Sequence, residues 1–481
     1  MNASQKPHSS RYAWLTQPDG VVCRFIDEAE RFYASFCRSP HDPTIASFPV
    51  TGYASFTVLD ATGSDVERAL RSAWTALRQE NPSLSSWIQF NSQRAAWQKM
   101  NICFDPSKDN STEENWLSQT FKTVVSEAGD DWLSHDPPVG KLPTLFLVQP
   151  STQDNRNSWN GAVYLRSPHD VVDGVGVLHL LNRLFEHARE SHSGIATTPN
   201  PANDEINRLS LPLDAITGIL EHATEQQKSR FQDLLAQNAT IQTEKPLIGL
   251  PVRDITCSQP RNIQRATISL SEDMSRHLLK QCKRHNVTIT HVMSAAVVMA
   301  LRDLQPLDLE TSSVRYSNQA LISLRHLCKP PFGSFAMGNY HMIAPEAMAI
   351  DVTSSHSKPP QQTPASELLS TAHQFRHYYT SVRTGLNESP HDYLAFARMT
   401  WDLFTPKESS VPPPPLKTAA VAISSLGDLS TILKGNYGSF ELTDAWVAGE
   451  PLGTGADVHV ALEFLQDPNS VKAVLTTTWA D

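Results

Sequence analysis

The sequence predicts an α/β protein of two subdomains, each a mixed sheet flanked by helices. Three observations lead there. The chain has 481 residues, more than one hydrophobic core usually fills. Short apolar runs that read as strands alternate with longer segments whose apolar residues recur every three or four positions. The two halves share a loose strand-helix-strand pattern without an internal repeat, and a stretch where the pattern weakens separates them. The expected division is 1–190 as the N-terminal subdomain, 191–260 as a bridging linker with helices, and 261–481 as the C-terminal subdomain.

Taken in order, residues 1–50 mix aromatics such as Trp14, Phe32 and Tyr33 with polar residues, an amphipathic lead-in with turn signals at Pro40 and Pro43. A strand follows at 54–59, then a helix that starts at Ser64 and Asp65 and carries Val66, Leu70, Trp74 and Leu77 until Asn81-Pro82 stops it. Further strands are expected at 87–90, 142–148 and 162–165. Beyond Ser191, the run 197–201 is a linker, and helical stretches lie near 216–220 and 231–235. The second half opens with a strand at 265–270 and a helix from Ser271 through Leu278, Leu279 and Cys282. A helix capped near Thr290 is apolar almost all round over 292–301, which marks a core element. The strand 320–325 ends on a charge, Arg325, and Met337-Gly338-Asn339-Tyr340 follows a Pro/Gly loop. Loops are expected at 359–364 and at the stiff polyproline run 412–415, and strands at 419–424, 458–464 and 471–478.

Hydrophobic residues make up 40% and charged residues 19% of the chain, the balance of a globular protein. Net charge is −10 with no basic block, so nucleic acid and anionic membrane are not expected as partners. The N-terminus is polar, and the most apolar stretch, 292–301, is too short to span a bilayer. A soluble, cytoplasmic, monomeric protein is the expectation. Six cysteines, Cys23, Cys37, Cys103, Cys257, Cys282 and Cys328, form no Cys-x-x-Cys pair, which argues for free thiols and no metal site. The sequons at Asn110 and Asn238 carry no weight without a secretory signal.

Chemistry concentrates at Ser167-Pro168-His169-Asp170-Val171-Val172-Asp173-Gly174. The apolar run 161–166 reads as a buried strand ending where His169 begins. Val175, Leu178, Leu181, Phe185 and Ala188 then put one apolar face on a helix, so His169 lies on a strand-to-helix turn. A helix N-terminus disfavours imidazolium, and a neutral imidazole accepts protons; His169 is therefore a candidate general base. Asp173 is the natural N-cap and Gly174 permits a tight turn, which gives both structural roles. Chance supplies roughly 0.04 His-x-x-x-Asp-Gly patterns in such a chain. Ser-Pro-His-Asp recurs at Ser39 and Ser389 without the following Asp-Gly, and both copies read as surface turns. His341 and His391 read as structural histidines, Trp401 and Trp446 as core, the glycines Gly453 and Gly455 as a turn, and Arg166 and Arg183 as solvent-facing.

These residues resemble the coenzyme-A-dependent acyltransferase superfamily, which includes chloramphenicol acetyltransferase, the plant BAHD enzymes and condensation domains, and within it the fungal trichothecene O-acetyltransferase type. The likeness covers most of the chain and rests on four landmarks in order. They are Asn81-Pro82-x-Leu84, His169-x-x-x-Asp173-Gly174, Leu324-Arg325 with Gly338-Asn339, and Ser424-Ser425-Leu426-Gly427. The resemblance implies two chloramphenicol-acetyltransferase-like subdomains with an active-site tunnel at their interface. It implies O-acyl transfer, in particular acetyl transfer, from acyl-CoA as co-substrate to the hydroxyl of a secondary metabolite, with His169 as base, no metal and no permanently bound cofactor. A carrier-protein thioester as donor, and a non-acylating metabolite-binding or cyclising protein of the same fold, are the alternatives. Arg325, a charge at the end of an apolar strand, matches the arginine that the family pairs with the motif aspartate, so a bidentate Asp173–Arg325 pair is expected, with the carboxylate turned away from His169. Two departures stand out. Pro168 replaces the second histidine of condensation domains, and Tyr437-Gly438-Ser439-Phe440-Glu441 replaces the Asp-Phe-Gly-Trp-Gly of BAHD enzymes. The chain also stops at Asp481, directly after a strand, where members of the family often add a helix.

Overall fold

The structure is a computed structural model that describes residues 11–18, 20–38, 48–91, 96–102, 111–126, 132, 137, 139–151, 158–195, 205–219, 222–251, 263–305, 307, 310–329, 337–357, 361, 363–405, 418–419, 421–449, 458–467 and 470–480. The readings made for Pro40, Pro43, the first Ser-Pro-His-Asp copy, Asn110, the linker 197–201, the run 412–415, Gly453, Gly455, Cys103 and Cys257 fall outside these residues. The chain divides into two compact units. The first comprises Met1–Gly218, Ser323–His341 and Leu429–Glu450, and the second comprises Ile219–Ile322, Met342–Asp428 and Pro451–Asp481. This is not the contiguous division expected. The strand Phe440–Gly449 pairs with Pro49–Leu59, so a late segment completes the first unit's sheet.

That sheet has six strands, in the order Asn436–Tyr437, Phe440–Gly449, Pro49–Leu59, Ser158–Pro168, Thr144–Gln149, Phe121–Val125. Only the last pair is parallel, which makes the sheet mixed, as predicted. Ser158–Pro168 has neighbours on both edges and covered faces, which explains its apolar run: Val163, Tyr164 and Leu165 are all buried. It also explains Arg166, which is buried and donates to Thr51 Oγ1 at 3.3 Å, contrary to the solvent-facing expectation. On one face Tyr53, Phe146, Tyr164 and Trp446 gather around Trp132. Against the other lies the helix Gly174–His192, which approaches so closely that a Cβ at Gly52 would stand 2.3 Å from Val177 Cγ1. Beside it lies Gly63–Glu80, opened by a Thr62/Asp65 capping box and closed at Asn81 by the following Pro82. Arg183 links these helices, donating to Glu80 and to Glu186, and so is also not free in solvent.

The first unit's second sheet is antiparallel, in the order Leu15–Thr16, Val21–Phe25, Ala96–Ile102, Ser86–Asn91. Arg24 and Lys99 from it meet Glu30 of the helix Glu28–Cys37. Arg24 spans both Glu30 oxygens at 2.6 and 2.7 Å, and Lys99 Nζ lies 3.1 Å from Oε1. All three are buried.

In the second unit, Ile263–Ser269, Ser470–Ala480, Val458–Asp467 and Val421–Asp428 form a sheet in that order, parallel only at its last pair. The helix Ile289–Leu304 is buried along Ile289, Ala295, Val298 and Leu301 but exposes Ala296 and Ala300, so it covers one face rather than threading the core. The second Ser-Pro-His-Asp copy is a helix junction. Pro364–Glu388 ends at Ser389, Pro390 starts the next helix, His391 is exposed, and Asp392 accepts from Gln227 at 3.0 Å and pairs with Arg230. Among the described residues no single helix is long and apolar enough to cross a membrane.

Burial would raise the Glu30 carboxyl, but Arg24 and Lys99 outweigh it and hold it at about 2. A carboxyl depressed by folding stabilises above its unfolded pKa, so this contribution is full above about pH 4.5 and is lost as pH falls towards 2. Glu30→Gln, which leaves two buried cations without their counter-charge, is expected to cost about 3–5 kcal/mol in urea unfolding at neutral pH. A cost below about 1 kcal/mol would mean that the triad does not anchor this sheet.

Candidate functional site

The ladder between Ser158–Pro168 and Pro49–Leu59 runs to its last residues, where Pro168 faces Pro49. Neither proline has an N–H, so the ladder ends there and the chain is released into a turn. His169 N–H then donates to Phe48 O at 3.3 Å. Phe48 reaches this position with φ 51°, a left-handed conformation that bulky side chains rarely adopt and that is held only where the surroundings demand it. Val171 and Val172 are buried, and Asp173 caps the helix Gly174–His192 by accepting from Gly176 N–H at 2.7 Å. His169 therefore stands on the strand-to-helix turn that the sequence predicts.

Two buried ion pairs flank the histidine. Arg38, at the end of Glu28–Cys37, grips Asp170 with Nε at 2.6 Å from Oδ2 and Nη2 at 2.9 Å from Oδ1. Arg325 Nη2 donates to Asp173 Oδ1 at 2.6 Å. The expected two-pronged Asp173–Arg325 contact is instead single, because Asp173 Oδ2 accepts from Tyr340 N–H at 2.9 Å and lies 3.7 Å from His341 Nδ1. Burial raises the Asp173 carboxyl, yet Arg325, His341 and the Gly176 N–H together hold it far below the ordinary carboxylate range. Asp173 is thus ionised, and its bonds go to partners other than the His169 imidazole.

The glycine roles differ from expectation. Gly174 is the first helical residue, and its φ is not left-handed. The position that needs no side chain is Gly176, where a Cβ would fall 2.9 Å from Arg325 Nη2 and 2.6 Å from Val172 Cγ2. Arg325 reaches the helix end through that gap. Its own strand is shorter than predicted, Leu321–Ser323, and Arg325 opens a 3-10 turn, Arg325–Leu327.

His169 is half-buried and packed in aromatic rings. The Tyr33 ring lies 4.1 Å from it with planes 8° apart, and Phe48 lies at 5.2 Å and 15°. His341, read from the sequence as merely structural, is buried with its ring 6.4 Å from that of His169, and its Nε2 lies 2.8 Å from Tyr33 Oη. His179, inside the motif helix, is pushed down to about 4 by burial and by the Arg325 cation, so it is neutral above that pH. Burial pushes the neighbouring Cys37 thiol well up, and its Sγ bonds Phe48 O at 3.5 Å, which makes it inert packing. Cys23, Cys282 and Cys328 are also free and buried. Trp401 and Trp446 are buried, as the core reading expects.

The structure therefore brings His169, Asp173 and Arg325 together in the first unit, and adds Tyr33, Arg38, Asp170, Gly176 and His341, which sequence reasoning left out. A signal existed for Asp170, next to the histidine, and for His341, next to the Gly338-Asn339-Tyr340 landmark. None existed for Tyr33 or Arg38, since an aromatic or a charge near a helix end is ordinary. Chemically, the arrangement presents a half-buried imidazole on a rigid turn, beside an Asp173 carboxylate whose bonds go to other partners.

No family model matches the chain. In sequence it is 24% identical over 323 residues to O-acetyltransferase pigM of Monascus ruber, a match that covers 67% of this chain and 58% of that protein. It is 23% identical over 356 residues to the acyl-CoA-dependent acyltransferase MAC1 of Pseudozyma antarctica, covering 69% and 62%. The matched region thus spans about three fifths of these relatives' length. In fold it matches the TRI3 trichothecene 15-O-acetyltransferase of Fusarium sporotrichioides with a TM-score of 0.75 at 14% identity, covering 100% of this chain and 95% of that one. The condensation domain of the Monacolin K polyketide synthase MokA matches with a TM-score of 0.54 at 13% identity, over 97% and 92%. The resemblance read from the four landmarks is thus borne out: the chain is related in sequence to fungal acyltransferases and carries the α/β fold found both in a trichothecene O-acetyltransferase and in a condensation domain.

Proposed function

We propose that the protein is an O-acyltransferase that moves an acyl group, acetyl in the first instance, from acyl-CoA to a hydroxyl of a secondary metabolite, with His169 as general base. The observation that carries this reading is a half-exposed imidazole whose backbone, flanking aspartates and covering ring are all held in place. Proton transfer at one atom needs that fixity. The names of the relatives support the reaction type and the donor, one being an O-acetyltransferase and another acyl-CoA-dependent. Among the described residues Cys23, Cys37, Cys282 and Cys328 are buried and outside any disulfide, which suits a reducing compartment, and the cytoplasm is the proposed location.

In this scheme a His169 ring nitrogen takes the proton of the acceptor hydroxyl as its oxygen attacks the thioester carbonyl. The new C–O bond pushes the carbonyl electrons onto oxygen, and the tetrahedral oxyanion collapses with cleavage of the C–S bond. The imidazolium then returns its proton to the departing thiolate, so free CoA leaves and the base is regenerated. Asp170 and Asp173 touch no reactant here; they hold the turn. The condensation-domain likeness favours a second reading in which the acyl group arrives on a carrier-protein pantetheine arm and the same base serves.

With labelled acetyl-CoA and a panel of hydroxylated fungal metabolites, His169→Ala is expected to lower turnover by about 10²- to 10⁴-fold with an unchanged circular dichroism spectrum. Turnover near wild type in that variant would remove the base. Labelled product formed only when the acyl group is loaded on a carrier protein would select the second reading. Asp173→Asn and Arg325→Ala are each expected to cost about 3–5 kcal/mol in chemical unfolding, and the double variant less than their sum, because each strips the other of its buried counter-charge. Additive losses would separate the two residues.

A further inference from the structure

Asp173 lies only four residues from His169, yet the contacts between them take a longer path. Asp173 Oδ2 stands 3.7 Å from His341 Nδ1, His341 Nε2 stands 2.8 Å from Tyr33 Oη, and the Tyr33 ring covers the His169 ring at 4.1 Å with planes 8° apart. Every link lies within the first unit. Tyr33 and His341 are buried, at 3% and 8% exposure, so water does not compete for the hydroxyl between them.

A ring nitrogen facing an ionised carboxylate carries a proton, so His341 Nδ1 presents its N–H towards Asp173, while its Nε2 shares a hydrogen bond with the Tyr33 hydroxyl. Burial, followed by the charge of Asp173, pushes the Tyr33 phenol well above its ordinary range, so it keeps its proton. A phenol tied at its hydroxyl and rooted in the helix Glu28–Cys37 has its ring plane set at both ends. That plane lies flat against the imidazole. The contact fixes the tilt of His169 while occupying neither of its nitrogens, and a π face attracts imidazolium more than imidazole, so it favours the state in which the proton has moved.

We propose that Tyr33 is the positioning residue of the His169 imidazole, and that Asp173 acts on that imidazole through His341 and Tyr33 rather than by bonding it. The role rests on the reading of His169 as general base. Tyr33 touches no reactant; the path explains how a carboxylate that spends its bonds elsewhere still influences the base.

The test uses the full chain with 13C label at histidine Cε1, the His169 resonance being assigned by its loss in His169→Gln. The ring current of Tyr33 shifts this signal upfield; Tyr33→Leu is expected to return it downfield and Tyr33→Phe to keep it. In acyl transfer, Tyr33→Leu is expected to lower kcat about tenfold with KM unchanged, which corresponds to the loss of one aromatic contact. Tyr33→Phe and His341→Gln, which each remove the anchor but keep the ring, are expected to lower kcat by a similar smaller factor of about threefold, and the double variant by no more than either single one. An unmoved His169 signal in Tyr33→Leu overturns the stacking whatever the activity. A moved signal with unchanged kcat overturns the positioning role, as does an additive loss in the double variant. Should His169→Ala retain full turnover, the base reading fails instead, and the resonance still reports whether the contact exists. Tyr33→Phe, which preserves volume, decides the matter if Tyr33→Leu does not fold.

Discussion

A carboxylate can stay ionised inside a protein only if a cation and hydrogen-bond donors meet it there, and the Asp173 charge is where this structure satisfies that condition most fully. Arg325 supplies the cation, Gly176 and Tyr340 supply N–H groups, and His341 adds a ring nitrogen on the remaining side. Three of these partners come from the segment Ser323–His341, which is why a stretch from the second half of the chain is built into the first unit. Asp173 N–H also donates to Gly338 O, so backbone and side chain hold the same segment. The motif helix, the turn before it and the distant segment thus depend on one charge.

The turn is held as tightly on its other side. Asp170 is gripped by Arg38, the carbonyl of a left-handed Phe48 receives the His169 N–H, and facing prolines mark the point where strand becomes turn. The outcome is a histidine whose backbone cannot drift while its ring remains partly open. The aspartate of the motif belongs to the helix cap and to Arg325 and His341, so its part in any reaction is indirect.

How much of this was legible in the sequence depended on range. The His169 turn was legible because its determinants are local: an apolar strand, a short polar motif, then an apolar helical face. The Arg325 partnership was legible because a charge closing an apolar strand asks for a partner. Tyr33, Arg38 and His341 were not, since each comes from another part of the chain and nothing in its own neighbourhood marks it. Arg166 was misread for the complementary reason: it sits in a strand with neighbours on both edges, where even a charged side chain is enclosed. The glycine requirement fell on Gly176 instead of Gly174, because the constraint is the approach of Arg325 and not the turn itself. Mixed sheets with flanking helices followed from periodicity, whereas the exchange of Phe440–Gly449 into the first sheet is a pairing across almost the whole chain, which periodicity does not encode.

The central claim is that His169 moves a proton while the acyl group passes directly from donor to acceptor. Intact-protein mass spectrometry during turnover, with acetyl-CoA and an accepted hydroxylated metabolite present together, tests it most directly. The account predicts an acetylated metabolite and free CoA accumulating while the protein mass stays that of the unmodified chain at every time point. A protein species heavier by one acetyl group that forms and decays at the rate of product formation would contradict it.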